Sequence, residues 1–242
     1  MLNKIFIIVV FVSFSANAQF SKFLNKITDE VNKVGVSTGD LSNLDISNGL
    51  KEALNKGITE QVNTLALKDG FYKNELAKIL LPKELRKVDK ALRSVGLSSL
   101  ADEGLKVLNR AAEDAVGEAI PIFVTAIQDM SFSDAKNILL GDVNAATGYL
   151  QTQTTEALYQ KFHPVINKSF KKVGADKVWE NLIERYNKMP FTKDVTPDLT
   201  AYVTEESLKS VFKMVAVEEK EIRTKLSSRS TDLLQKVFAL QD

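Results

Sequence analysis

Residues 97–141 read LSSLADEGLKVLNRAAEDAVGEAIPIFVTAIQDMSFSDAKNILLG, and this stretch decides the fold class. Apolar or small side chains return there every three or four residues, which is the spacing of one face of an α-helix. They are Leu97, Leu100, Ala101, Leu105, Leu108, Ala112, Ala115, Val116 and Ala119, followed after Pro121 by Phe123, Ala126, Ile127 and Met130. Alanines at 111, 112 and 115 let neighbouring helices approach closely. We therefore expect this segment inside a helical bundle.

Three residues divide this pattern into separate helices. Pro121 has no N–H to donate, so the long pattern must kink or split near Glu118. Ser131 is expected to cap a new short helix, because its hydroxyl can accept an unpaired backbone N–H. Gly96 is expected to close the preceding helix in the left-handed conformation.

The same spacing continues upstream of this stretch. Residues 46–65 form an apolar stripe, whose start can be capped by Asp45 or Ser47. Gly57 lies on the apolar side and indicates a close contact between helices. Residues 71–80 favour a loop with a short helix.

Downstream, further helical stripes follow at 143–173, 178–186, 208–226 and 233–238. The first of these is expected to be interrupted at His163-Pro164. The sequence contains no alternating run and no hairpin signal of the kind that predicts strands. It therefore predicts an all-α protein, a single multi-helix bundle of about ten helices of mixed length over residues 41–242.

The first forty residues differ from the rest. Residues 1–18, MLNKIFIIVVFVSFSANA, have the charged start, apolar run and Ala-x-Ala ending of a secretory signal peptide. We expect a mature chain that begins at Gln19 and resides in the periplasm, with the extracellular space as the alternative. Residues 19–40 predict an amphipathic helix and a linker. The apolar stripe of Phe20–Val34 either docks on the helical domain or makes a peripheral contact with a membrane or a partner.

The charge balance argues against nucleic acid as a partner. The chain has 32 Lys and Arg against 31 Asp and Glu, and removal of residues 1–18 takes away Lys4, which leaves 31 of each. Nucleic-acid-binding proteins usually carry a clear basic excess, although a local basic patch is compatible with this balance. Because the chain has no Cys, no disulfide supports the fold and stability must come from apolar burial.

The sequence signatures of common enzymes are missing. There is no phosphate-binding G-x-x-x-x-G-K-[ST] loop, no dinucleotide-binding G-x-G-x-x-G and no G-x-S-x-G nucleophile elbow. With one His and no Cys, the usual zinc ligand sets cannot be assembled. His163 could share a helix face with Glu156 and Gln160, but a metal there would need carboxylates from elsewhere. We expect no metal and no cofactor.

Two polar groups on otherwise apolar helices are candidates for a buried network or a pocket. Asn109, Arg110 and Glu113 flank an alanine-rich face and form either a buried network or a solvated face. Glu218-Glu219 fills a gap in an apolar stripe, so at least one carboxylate faces the packed side and needs a partner. That partner is expected among Arg110, Arg223 and Arg229, in an ion pair that fixes helix register or in a catalytic or ligand-binding site. The candidate residues are Asn109, Arg110, Glu113, Glu218, Glu219, Arg223 and Arg229.

Five segments in this order resemble one family. They are DISNGLKEALNKGI, KILLPKELRKVDKALRSVGL, NRAAEDAVGEAIPIFVTAIQDMSFSDAKNILLG, AYVTEESLKSVFKMVAVEEKEIR and STDLLQKVF. From about Leu41 to Phe238 the chain resembles the bacterial exported family catalogued as domain of unknown function 4197. The resemblance implies a helical exported protein and supplies no activity. Members of the family often carry Arg where this chain has His163, which argues against a role for that histidine.

These observations favour a non-enzymatic exported protein that binds an unknown partner protein or an apolar ligand. One alternative is an enzyme of unrecognised type that uses Glu218 or Glu219 with an arginine. The other alternative is a peripheral membrane protein anchored by Phe20–Val34.

Overall fold

The computed structural model describes residues 43–173, 175–188 and 198–229, together with residues 235, 237 and 238. Within these ranges the chain forms eight α-helices and no strand, which confirms the all-α class. The helices are α1 (Asn43–Ala66), α2 (Lys83–Ser94), α3 (Ser98–Val116), α4 (Ala119–Gln128), α5 (Phe132–Leu140), α6 (Ala145–Val173), α7 (Ala175–Asn187) and α8 (Leu199–Thr224). The expected signal peptide (1–18), the amphipathic helix and linker (19–40) and most of the last expected helix (233–238) lie outside the described residues.

The chain divides into two compact units. One contains residues 1–53, 130–145 and 221–242, and the other contains residues 54–129 and 146–220. The second unit holds α3 and most of the stretch that decided the fold class.

The predicted divisions of that stretch are confirmed. α3 ends at Val116 and α4 begins at Ala119, so the pattern splits near Glu118 as Pro121 requires. Ser131 caps α5 in a reciprocal capping box with Asp134. Gly96 closes α2 with a φ of 83°, the left-handed conformation that glycine adopts without strain.

The apolar stripe of α3 and α4 is largely inside the larger unit. Leu108 and Phe123 are fully buried, and the Phe123 ring meets Phe212 of α8 edge to face with centroids 6.0 Å apart. The expected stripe is less complete at its start, because Leu100 and Leu105 are only half-buried.

α7 packs closely on α3 at Gly104. A Cβ atom at Gly104 would lie 2.7 Å from Leu182 Cδ1 and 3.1 Å from Trp179 Cζ2. The Trp179 indole N–H donates to the Gly104 carbonyl oxygen at 3.1 Å. Because Gly104 has no side chain, α3 and α7 can approach closely. The approach brings the Gly104 carbonyl group within hydrogen-bonding distance of the buried Trp179 indole.

Several expectations about helix boundaries are wrong. α1 begins at Asn43, upstream of Asp45 and Ser47, so neither residue is its cap. Ser47 is instead buried within the helix. No helix forms between α1 and α2, because the backbone there is satisfied by side chains of other helices, as shown below.

The expected interruption at His163-Pro164 is also wrong, because α6 runs through Pro164 as one helix of 29 residues. A proline inside a helix costs about 3 kcal/mol through its missing N–H and its ring clash. Leu158, Phe162 and Ile166 form an unbroken, fully buried stripe across this point, and their burial offsets that cost. The continuous α6 is one reason why the described ranges hold eight helices rather than about ten.

We expect Gly104→Ala to lower the free energy of unfolding by up to about 2 kcal/mol, measured by urea unfolding. Overpacking against Leu182 and Trp179 costs about 1–3 kcal/mol, which outweighs the gain in helix propensity of about 1 kcal/mol. Gly148→Ala in α6 is the matched control, because a Cβ atom there meets nothing within 4 Å. It should stabilise the protein by up to about 1 kcal/mol. Equal stabilisation by both variants would contradict the close contact at Gly104.

Candidate functional site

The segment that connects α1 to α2, residues 67–82, follows an irregular path, and we call it the strap. Its residue Asp69 has a φ of 73°, a left-handed conformation that a non-glycine residue rarely adopts. The strap buries Phe71, Ala77 and Ile79 and leaves Leu67, Leu76 and Leu80 exposed. An irregular segment with buried side chains leaves backbone groups that need partners.

Asn109 of α3 supplies two of those partners. Its side chain is fully buried, and its Oδ1 accepts the N–H of Ile79 at 2.8 Å. Its Nδ2 donates to the carbonyl oxygen of Ile79 at 3.0 Å and to that of Leu105 at 2.9 Å. The amide thus pairs with both backbone groups of one strap residue, as a neighbouring strand would.

Glu113 and Arg110 hold the other end of the strap. Glu113 Oε1 accepts the N–H groups of Phe71 at 3.1 Å and of Tyr72 at 3.2 Å. The Arg110 guanidinium bridges Glu113 Oε2 and Asp69 Oδ1, so it joins the helix to the turn. Burial opposes the charged form of Arg110, but these two carboxylates outweigh burial and raise its pKa.

Asp69 is therefore at the centre of an ion-pair cluster. Lys73 lies 2.9 Å from its Oδ2, and Arg110 binds its Oδ1. Hydrogen bonds from Lys73 and Arg110 hold the pKa of Asp69 below its ordinary value. The left-handed backbone of Asp69 forms the turn at the start of the strap. The ion pairs of its side chain with Lys73 and Arg110 stabilise that turn.

Residues of α8 bind the strap as well. The Ser210 hydroxyl donates to the carbonyl oxygen of Ala77 at 2.9 Å, and the Tyr202 hydroxyl donates to that of Leu80 at 2.8 Å. Polar side chains of two helices therefore fix this irregular segment along its length.

Glu218 and Glu219 of α8 have different roles. Glu219 is buried, and its Oε1 accepts the N–H of Ala146 at 2.9 Å. Its Oε2 accepts the N–H and the hydroxyl of Thr147, each at 2.8 Å. This carboxylate therefore caps the N-terminus of α6, where unpaired N–H groups and the helix dipole favour a negative charge. Glu218 accepts a bond from Gln61 at 2.8 Å.

The expected close contact at Gly57 is confirmed by its distance to Glu218. A Cβ atom at Gly57 would lie 2.8 Å from Glu218 Cγ. The absence of a side chain at position 57 thus makes room for Glu218.

Arg223 and Arg229, in the smaller unit, bind helix C-termini. Arg223 donates to the carbonyl oxygen of Ile138 in the last turn of α5 at 2.8 Å. Arg229, which is 1% exposed, donates to the carbonyl oxygens of Ile222 and Arg223 at 3.0 Å each, in the last turn of α8. Both guanidinium groups also lie over the Phe238 ring, at 5.9 and 6.0 Å from its centroid. A cation at a helix C-terminus satisfies unpaired carbonyl groups and complements the dipole.

The structure brings three of the candidate residues together at the strap. Asn109, Arg110 and Glu113 come together at the strap, Glu219 lies at the start of α6, and Arg223 and Arg229 lie at helix ends. Arg110, one of the three cations expected to pair with Glu219, binds Asp69 and Glu113.

An open groove of about 500 Å³ borders Arg110. It is lined by Tyr72, Ser99, Asp102, Glu103, Lys106, Val107 and Arg110. Six of these residues lie on α3 at positions that share one helical stripe. Apart from Arg110, none of these residues is among the candidates predicted from the sequence, because a row of Ser, Asp, Glu and Lys has the pattern of an ordinary solvated helix face.

None of the helices in the described ranges is long and apolar enough to cross a membrane. In the same ranges no three or more His, Cys, Asp or Glu side chains are arranged to hold a metal ion.

The family model described as protein of unknown function (DUF4197) matches residues 40–239. The chain belongs to this family. No curated protein and no solved structure matches the chain.

We expect Glu219→Gln to lower the free energy of unfolding by about 1–3 kcal/mol, because the amide has one acceptor oxygen and leaves a buried N–H at the start of α6 unpaired. The matched control is Glu218→Gln, whose amide can still accept from Gln61 and should change stability by less than about 0.5 kcal/mol. Thermal unfolding monitored by circular dichroism measures both variants. A Glu219→Gln variant as stable as the control would rule out the capping role.

Asp69→Asn should reduce the acid sensitivity of the protein. A carboxylate with a lowered pKa in the folded state contributes stability above its ordinary pKa, and that contribution is lost as the pH falls through the lowered value. The wild type should therefore lose this contribution below about pH 4, whereas Asp69→Asn lacks it at every pH. Asn tolerates the left-handed backbone at position 69, so the substitution removes charge without adding strain.

The measurement is the melting temperature from about pH 6 to about pH 2. Glu75→Gln, at an exposed strap position, is the control and should keep the acid sensitivity of the wild type. The cluster around Asp69 would be excluded as a source of that sensitivity if Asp69→Asn and wild type gave parallel curves.

Proposed function

We propose that this protein is an exported, non-enzymatic interaction protein, and that its partner is a protein that binds along the groove of α3. The groove carries this proposal, because its lining follows one face of α3 from Ser99 to Arg110, a length of about 16 Å. An accessible helix face of this length can receive a helix or an extended peptide of a partner.

The chemistry of the lining supports a peptide rather than an apolar ligand. Apolar ligands bind in enclosed, mostly apolar pockets, whereas this groove is open and presents Glu103 and Lys106. Asp102, which pairs with Arg93, and Arg110, which binds Asp69 and Glu113, add charge to its edges. Tyr72 and Val107 add an aromatic ring and an apolar floor. A peptide segment with both charges and one apolar anchor would complement this surface.

The buried carboxylates support a non-enzymatic role. A general base needs a carboxylate oxygen directed at the substrate. Both oxygens of Glu113 and both oxygens of Glu219 accept hydrogen bonds from the chain itself. The alternative of an enzyme based on Glu219 would have to break the cap of α6. The groove beside Arg110 is not lined by Glu219 or Asn109.

Export is proposed from the pattern of residues 1–18. These residues have the arrangement of a secretory signal peptide with cleavage before Gln19. A periplasmic partner would then meet the groove after export.

The test places a photocrosslinking amino acid at Glu103 in the full chain, expressed in the cell that makes it. We expect one discrete crosslinked species in the fraction released by osmotic shock, with Gln19 as the N-terminal residue of the protein. Lys106→Glu in the same chain should remove the species, because it reverses a charge in the groove. Lys213→Glu on the exposed face of α8 is the control and should leave it intact.

Three outcomes would contradict the proposal. The first is a set of many crosslinked species that persists in the Lys106→Glu variant. The second is a loss of the crosslinked species in Lys213→Glu that equals the loss in Lys106→Glu. Either outcome would exclude specific binding at the groove. The third is recovery of the protein in the cytoplasm with Met1 retained, which would exclude export.

A further inference from the structure

The C-terminal half of α6 carries charge of only one sign. Between Glu156 and Asp176 the sequence contains no acid. The same stretch contains four lysines with exposed side chains, Lys161, Lys168, Lys171 and Lys172. In the described part of the chain none of these ammonium groups has an ion-pair partner. We call this surface the lysine face.

Helical geometry aligns these lysines. Lys168 and Lys172 follow Lys161 by seven and eleven residues, which places each of them within about 20° of Lys161 around the helix axis and about 40° from the other. The row is about 16 Å long, and Lys171 lies beside it. Phe162 and Ile166 point elsewhere, into the core. The lysine face is thus a straight, solvent-exposed row of charges.

Few opposing charges surround this row. Asp114 of α3 accepts a hydrogen bond from the Ser169 hydroxyl, which places one carboxylate at the flank of the row. Asp176 and Glu180 follow in α7, together with Lys177. In contrast, the lysine row of α2, Lys83, Lys87 and Lys90, is interleaved with the acids of its own helix, KELRKVDKALRS. The lysines of α6 therefore produce a more positive electrostatic potential than the lysines of α2, although the two rows have similar spacing.

We propose that the lysine face binds the anionic headgroups of a phospholipid membrane. Lysine ammonium groups act as mobile point charges, which suits a diffuse anionic surface better than a shaped site, where the fork of arginine is favoured. A straight row of lysines can contact a planar surface along its whole length, and the attraction falls off within a Debye length. This surface is distinct from the groove of α3, and the proposal does not depend on a protein partner.

Nucleic acid fits the same surface less well. Its recognition uses arginine and aromatic platforms that stack on bases. No arginine lies between Glu156 and Asp176. The rings of Tyr159 and His163 stack on each other with centroids 5.7 Å apart rather than forming separate platforms.

The test is co-sedimentation of the chain from Gln19 to Asp242 with vesicles of phosphatidylcholine, either alone or with about one third phosphatidylglycerol. The triple variant Lys161→Gln, Lys168→Gln, Lys172→Gln is compared with the control Lys83→Gln, Lys87→Gln, Lys90→Gln, which changes net charge equally. Each lysine near an anionic surface contributes about fivefold in binding. We therefore expect the α6 variant to lose about a hundredfold of its partition onto the anionic vesicles, and the α2 control to lose less than about fivefold.

Four further measurements separate the mechanisms. Replacement of the same α6 lysines by Arg should retain binding, and circular dichroism should show unchanged helix content in every variant. Binding should weaken from about 0.05 M to about 0.5 M salt. Glycerophosphate in solution should not displace the protein, because it lacks the extended charge of a membrane.

The proposal would be overturned by equal losses in the α6 and α2 variants, by equal binding to vesicles without phosphatidylglycerol, or by displacement with glycerophosphate. It would also be overturned if a short DNA duplex or polyglutamate bound the α6 row more tightly than the anionic vesicles.

Discussion

Satisfaction of backbone groups by buried charged side chains is the constraint on which this fold depends. Helix ends and irregular segments leave N–H and C=O groups without partners, and such groups are costly to bury. Glu219 supplies acceptors to the start of α6, and Glu113 supplies them to the strap. Arg229 supplies donors to the end of α8. In each case the sign of the charge matches the backbone group that it binds.

The same constraint explains what the buried charges Glu113, Glu219 and Arg229 bind. A buried charge needs hydrogen bonds, and the nearest unpaired backbone groups provide them as well as a counter-ion would. The surfaces that we propose for recognition are formed mainly by residues without such tasks, with Arg110 as an exception. The groove of α3 and the lysine face of α6 consist largely of exposed polar residues that look unremarkable in the sequence.

The helical class, the family, the split at Pro121 and the cap at Gly96 could be predicted from the sequence because each depends on local spacing or on a single residue. The path of α6 through Pro164 could not, since it depends on long-range burial of Phe162 and Ile166 that outweighs a local rule. The partners of Glu219 and Asn109 were equally inaccessible, because both bind backbone, and backbone groups have no signature in a sequence. Asn109, Glu113 and Glu219 could be identified from the sequence as polar residues on packed helix faces. Their binding partners could be identified only from the three-dimensional structure.

The cap of α6 has a consequence for the order of folding. Glu219 and Ala146 are separated by 73 positions, so the cap of this helix is supplied by a distant part of the chain. The closure of so long a loop costs entropy before the bond is gained. During synthesis, α6 emerges from the ribosome long before its capping carboxylate exists. In a nascent chain that ends before position 219, the N–H groups of Ala146 and Thr147 therefore lack the carboxylate that binds them in the folded protein.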